Sequence, residues 1–335
     1  VIASAMDGVV DVAFAIALGK LGGLAVLNLE GLQTRYAHPE EPLAEIAAAP
    51  RESATELMQR LYQAPVQDEL VARRVQEIKA AGGVAAVSST PGLANRLAPV
   101  AVEAGLDVFV VQSTVTSRRF RSLGGAAPLD FARFCARTAV PVMVGNCVGF
   151  TAALELMETG IAGLLVGVGP GAACTSREVL GIGVPQVTAT LDCAAARDTF
   201  YRRTGRYVPV VTDGGMRTGG DVCKAFASGA DAIMVGSPFA QAAEAPGQGH
   251  HWGMATPHAG LPRGTRIKVG VNGTLEQILF GPTSLTNGTQ NLVGALRTCM
   301  GVCGAANVRE MHDAEMVIAP AIKTEGKSWQ LAGAL

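Results

Sequence analysis

The 335-residue chain is 49% hydrophobic, 5% aromatic and 16% charged, with a formal net charge of -1, a composition that suits one large core, since α/β barrels hold roughly 250 residues or more in one domain. The near-neutral balance gives no field for nucleic acid or an anionic membrane, so an anionic ligand must be caught by a local site, and a small molecule is the expected partner. Asp, Glu, Arg, Gly or Pro interrupts every apolar stretch before the ~18 residues of a membrane span, and unpaired thiols without a signal peptide point to a reducing, cytoplasmic setting. The chain opens at Val1 inside an apolar run without an initiator Met, so its native start is expected upstream.

Short β-branched runs recur along the chain at residues 1–4, 24–28, 84–89, 108–113, 140–145, 164–169, 208–213 and 232–237. Helix-like stretches separate most of them, among others at 11–21, 70–81, 92–104, 129–138, 151–159 and 220–228. Val108-Phe109-Val110-Val111 and Pro141-Val142-Met143-Val144 are continuous apolar runs, as strands buried on both faces must be. Eight β-then-α units predict an α/β fold, a single-domain (β/α)8 TIM barrel over 1–335 with a C-terminal extension; an open doubly wound sheet is the alternative. Ser4, Asn28, Ser89, Gln112, Asn146, Asp213 and Ser237 stand at or just past the strand ends, and a barrel gathers such positions at one mouth.

Cys174 lies in Gly167-Val168-Gly169-Pro170-Gly171-Ala172-Ala173-Cys174-Thr175-Ser176. A structural cysteine needs no glycines around it, whereas a thiol that attacks a ligand needs close backbone approach and amide donors. Asp213-Gly214-Gly215 and Gly236-Ser237-Pro238 both precede helices, and amides at such turns suit a phosphate. Asp213 repels phosphate but can accept from two ribose hydroxyls, so a nucleoside monophosphate fits. No CxxC pair is present; Cys299 and Cys303 share a helix face, and no His/Cys/carboxylate set has zinc-ligand spacing.

With these residues in view, the chain resembles the IMP dehydrogenase and GMP reductase family over almost its whole length. The likeness rests on Ser4-Ala5-Met6-Asp7, on residues 167–189 including Val184-Pro185-Gln186-Val187-Thr188-Ala189, on 213–237, and on Glu244-Ala245-Pro246-Gly247 with Gly253-Met254. The resemblance implies a (β/α)8 barrel in which Cys174 attacks purine C2 to form a thioimidate while a nicotinamide cofactor exchanges hydride there. Thr175 and Ser176 complete the catalytic loop, Ser176 standing where the family carries a proton-transferring threonine. Asp213 would hold the ribose; Gly214, Gly215, Gly236 and Ser237 the phosphate; Ser4, Met6, Gly253 and Met254 would line the nucleotide, with Asn146 near the reacting ring. Gln112, Ser113 and Glu244 are the implied cofactor contacts, and carbonyls of Gly169, Gly171 and Cys174 could bind a monovalent cation, K+. Homotetramers or octamers are expected from the family.

The sequence departs from the family at Ala172, where a phosphate-binding serine is common, at Gln112, where an aspartate is usual, and at Arg263, where reductases carry a glutamate. Residues 255–263 hold no Arg-Tyr pair of the kind that activates water in dehydrogenases, and 32–69 is too short for the regulatory CBS insert. These absences favour GMP reductase, converting GMP and NADPH to IMP and ammonia; the alternatives are IMP dehydrogenase and a catalytically silent purine-nucleotide-binding protein. Glu244 is one candidate acid for the departing amine.

Overall fold

The structure is a computed structural model that describes residues 1–118, 128–253 and 266–317. Eight strands close into a barrel in chain order: β1 (Ile2–Ala3), β2 (Leu24–Asn28), β3 (Ala86–Ser89), β4 (Val108–Gln112), β5 (Val142–Cys147), β6 (Gly163–Val166), β7 (Val210–Asp213) and β8 (Ala232–Val235). Every pairing is parallel, and the ring shuts where Ile2 of β1 meets Met234 of β8. All eight runs read from the sequence are these strands. Each gives at least one side chain to the barrel interior, Ile2, Val26, Ala86, Val110, Met143, Leu165, Val211 and Met234, and Leu24, Val108 and Ala232 pack against the same cluster. Their neighbours, such as Leu27, Val87, Phe109 and Val144, point outward into the layer under the helices. Burial on both faces explains why the runs do not alternate.

The six helix-like stretches are found at Val12–Lys20, Asp68–Ala80, Pro91–Glu103, Phe131–Arg137, Phe150–Met157 and Gly219–Ala227. Local chemistry starts several of them. Asp11 accepts from the Phe14 amide at 2.7 Å, Pro91 occupies the first turn of its helix, and Thr218 and Asp221 form a reciprocal capping box.

Among the described residues, three of the longer helices lie outside the helix-like stretches that the sequence predicts. Glu40–Ala48 and Ala54–Leu61 fold the 32–69 connection over a separate small core of Leu32, Leu43, Ile46, Met58, Tyr62 and Trp252. Gln186–Thr204, nineteen residues long, buries Ala189, Cys193, Ala196 and Phe200. His250–His251 pairs antiparallel with Ile267–Lys268, and Leu292–Val302 packs on Gly219–Ala227, where a Cβ on Gly219 would lie 2.3 Å from that of Ala295. Of the predicted C-terminal extension, residues 318–335 lie outside the described residues.

Candidate active site

A cavity of about 1780 Å³ spans the mouth at the carboxyl ends of the strands, and all seven strand-end residues singled out above line it. The glycine turns after β7 and β8 lie on one side. Because the strands close in order, the loops after β3 and β4 lie opposite them. Ser88, Ser89, Thr90, Ser113 and Thr116 bring hydroxyls to that far half, and Glu30 accepts there from Ser89 Oγ (3.1 Å) and the Thr90 amide (2.5 Å). Such a lining suits the hydroxyls of a second, dinucleotide ligand.

The Cys174 loop leaves β6 on glycines that the geometry requires. Gly167 has φ +148°, and a Cβ there would stand 2.2 Å from the Asp213 carbonyl oxygen. Gly169 (φ +82°) and Gly183 make room for the stem of Arg177, whose guanidinium donates to the Val184 carbonyl at 2.9 Å. Gln186 Nε2 donates to the Val166 carbonyl at 2.6 Å and ties the far end of the loop to β6. The loop is thereby clamped at both ends. Within it Cys174 donates its thiol proton to Ser176 Oγ at 3.2 Å and its amide to the Gly171 carbonyl at 3.0 Å. Thr175 is the N-cap of the short helix Ser176–Leu180; Ser176 is buried and Cys174 half-buried, and all three line the cavity. Gly169 and Gly171 line it as well, and the Gly171 carbonyl keeps one lone pair beyond its bond to Cys174.

At the ends of β4, β5 and β7, three side chains fix one another. Asn146 Nδ2 donates to Asp213 Oδ2 at 2.8 Å, Gln112 Nε2 donates to the same oxygen at 2.9 Å, and Gln112 Nε2 also donates to Asn146 Oδ1 at 2.9 Å. A register shift between Gly145 and Cys147 in β5 marks a bulge at Asn146, a device that re-aims a side chain. Burial pushes the Asp213 carboxyl up to about 6, against the opposing pull of the hydrogen bonds from Asn146, Gln112 and Ser4. Gln112 therefore faces Asp213 and Asn146 with its amide. Ser113 bonds within its own turn, to the Val115 carbonyl and Thr116 Oγ1, both at 2.9 Å.

Gly214 (φ +87°) and Gly215 (φ +82°) press against Pro170, with Cβ positions 3.2 and 3.0 Å from its ring atoms. At Gly236 a Cβ would stand 2.9 Å from Met6 Sδ, so any larger residue in this turn would displace the Met6 side chain, which also lines the cavity. Ser237 Oγ lies 2.9 Å from Nε2 of His251, which is 2% exposed and lines the cavity. Burial, with a smaller push from His250, lowers the His251 imidazole to about 4. Nothing in the sequence marks His251 for this contact. Its partner stands 14 residues away, and the hairpin that brings them together was not marked.

Ser4 and Gly253 line the cavity, while Met254 lies outside the described residues. Glu244 does not join them. It is exposed, and its Oε2 accepts from the Leu275 amide at 2.9 Å, at the start of the helix Leu275–Phe280. Among the described residues no group of three His, Cys, Asp or Glu is placed to hold a metal ion, and Cys223 contacts the Leu292–Val302 helix by donating to the Ala295 carbonyl at 3.7 Å.

The barrel mouth thus holds a half-buried thiol between two glycine turns and a hydroxyl-lined groove. The chain belongs to the IMP dehydrogenase / GMP reductase family, whose domain pattern matches residues 1–327. An uncharacterized oxidoreductase of Mycolicibacterium smegmatis is 42% identical over 327 residues, covering 95% of this chain and 87% of that protein. The inosine-5'-monophosphate dehydrogenase of Cryptosporidium parvum is 33% identical over 241 residues, 64% of this chain and 55% of that one. The crystal structure of an IMP dehydrogenase/GMP reductase-like protein from Corynebacterium glutamicum superposes with a TM-score of 0.89 at 34% identity, covering 95% of this chain and 85% of the other.

Proposed function

We propose that the chain exchanges hydride at C2 of a purine nucleoside 5'-monophosphate through a covalent bond from Cys174 Sγ to that carbon. The observation that carries this reading is the Cys174 thiol held 3.2 Å from Ser176 Oγ on a glycine loop that shares one cavity with Asp213, Gly215 and Ser237. In the proposal Ser237 with the amides of Gly215 and Gly236 receives the phosphate, Asp213 the ribose hydroxyls, and the hydroxyls of the β3 and β4 loops with Glu30 hold the nicotinamide cofactor. When bound, the nicotinamide takes up or returns the C2 hydride. As the S–C2 bond forms, the thiol proton passes through Ser176, whose Oγ accepts it while the hydroxyl gives its own proton to the purine nitrogen next to C2; that proton is lost when the hydride leaves. In the oxidative direction a water oxygen then bonds C2, the C2–S bond breaks, and the thiol is restored with net release of one proton. A K+ ion on the Gly169, Gly171 and Cys174 carbonyls and assembly as a homotetramer are part of the same reading.

Two observations favour the oxidative direction, in which IMP, NAD+ and water give XMP, NADH and a proton. The reductive reaction needs an acid for the leaving amine, and Glu244 is engaged by the Leu275 amide instead. The relative above that carries an assigned activity is an IMP dehydrogenase. The second reading is the GMP reductase, with NADPH as reductant; it is favoured by the lack of an Arg-Tyr pair in residues 255–263.

Parallel assays with potassium, IMP plus NAD+ and GMP plus NADPH, followed by chromatography of the purine, decide between them. XMP with stoichiometric NADH supports the dehydrogenase; IMP with stoichiometric NADPH loss supports the reductase. Tight nucleotide binding without turnover in either assay rejects both and leaves the silent nucleotide-binding protein.

A further inference from the structure

We propose that Gln112 is a positioning residue for Asp213 and gives the site its preference for a ribose over a 2'-deoxyribose nucleotide. The proposal deepens the functional reading above and rests on Asp213 receiving the sugar hydroxyls. Gln112 is the last residue of β4, and its neighbour across the sheet is Gly145, one residue before Asn146. Both hydrogens of its amide nitrogen are engaged, one by Asn146 Oδ1 and one by Asp213 Oδ2, each at 2.9 Å. Asn146 Nδ2 reaches the same Oδ2 at 2.8 Å. One carboxylate oxygen is thus pinned by two amides, leaving Oδ1 as the oxygen that these amides do not hold.

The three orientations are mutually fixed. Turning the Gln112 amide over would set its oxygen against Asn146 Oδ1 and Asp213 Oδ2, with three acceptors and no donor among them. A carboxylate at 112, the residue type that the resemblance leads one to expect, would put two acceptor-only groups at about 3 Å, a spacing at which like charges cannot both ionise. A neutral amide is the one side chain of this length that can donate to both partners at once. With both hydrogens spent inside the cluster, Gln112 acts on the ligand through Asp213 and has no amide hydrogen left for the cofactor.

The test is isothermal titration of the whole chain, without cofactor, using GMP and 2'-deoxy-GMP, on the native protein and on Gln112→Glu and Gln112→Ala. The native protein is expected to bind GMP about tenfold or more tightly than 2'-deoxy-GMP, a difference of the size of one hydrogen bond to a charged group. Both variants should bring that ratio towards one, mainly by weakening GMP, while the KM for the nicotinamide cofactor in turnover assays stays within about twofold of native. Melting curves establish that each variant is folded, and Gln112→Ala, which adds no charge, keeps the test usable if Gln112→Glu is not. A ratio unchanged in both variants, or an unchanged ratio with a raised cofactor KM, overturns the proposal. A native ratio of one instead overturns the assignment of Asp213 to the sugar, which separates the failure of the underlying reading from failure of the role given to Gln112.

Discussion

With Nε2 on the Ser237 hydroxyl and Nδ1 without a hydrogen-bond partner among the described residues, His251 controls where that hydroxyl donates. The low pKa, about 4, keeps the ring neutral at pH 7. A hydrogen on Nε2 spares the ring a buried, stranded N–H at Nδ1, and it frees the Ser237 proton for an incoming anion. His251→Phe is therefore expected to weaken nucleoside monophosphates about tenfold, on the order of 1–2 kcal/mol, and to leave the corresponding nucleoside unaffected in calorimetric titration. Cys174→Ala should cut turnover by more than about a thousandfold while nucleotide affinity stays within a few-fold, as for loss of a covalent nucleophile. Asp213 carries a pH signature. Hydroxyl donors favour its ionised form, so binding should release a proton near pH 6, and affinity should fall towards tenfold per pH unit below about 6; Asp213→Asn should lose that component, which also separates it from titration of the ligand's own phosphate. The sign for stability runs the other way. A carboxyl raised from 3.8 to about 6 keeps its proton in the folded state where the unfolded chain has lost it, so its contribution declines as pH rises from about 4 to 6, and Asp213→Asn should raise Tm at pH 7.5. Cys174 and Asp213 were legible because glycines and a strand end framed them. The bonds from Gln112 were not, since its partners are 34 and 101 residues away.

At the scale of elements, the strands were the most legible feature, because burial on both faces leaves a continuous apolar signature that survives even in β1, two residues long. The helix Gln186–Thr204 escaped because its buried positions are mostly small, Ala189, Ala194 and Ala196 among them, so no stripe of large apolar residues announces it. The pair at 40–61 escaped because it covers its own small core rather than the barrel. The Cys174 loop depends on the elements it joins: Gly167 brings the end of β6 against the carbonyl of Asp213 at the end of β7. Gly167→Ala forces both a left-handed backbone and a contact with main-chain oxygen, and should destabilise the fold by at least about 2 kcal/mol, readable as a lowered Tm with loss of activity.

At the scale of the whole molecule, the satellite core is bonded to the mouth. Tyr62 donates to Asp7 Oδ2 at 2.5 Å and accepts from Trp252 Nε1 at 2.8 Å, while the Leu32 amide donates to that same Asp7 oxygen at 2.6 Å. Asp7 follows β1, Tyr62 closes the 40–61 helices and Trp252 adjoins His251, so three distant segments meet at one phenol. Tyr62→Phe leaves the indole N–H and a carboxylate oxygen each short of a partner; a loss of about 1–3 kcal/mol is expected, with a rise in KM for the nucleotide because the His251 hairpin is loosened. The barrel's closure by β1 and β8 carries a temporal consequence. On the ribosome, Ile2 and Ala3 are made before Met234 and Val235, which form half of their ladder, so the nascent chain holds an open sheet edge until β8 has been translated. Ser4 and Met6, just after β1, line the cavity, so under the proposed function nucleotide binding would report, during synthesis, the moment at which the ring shuts.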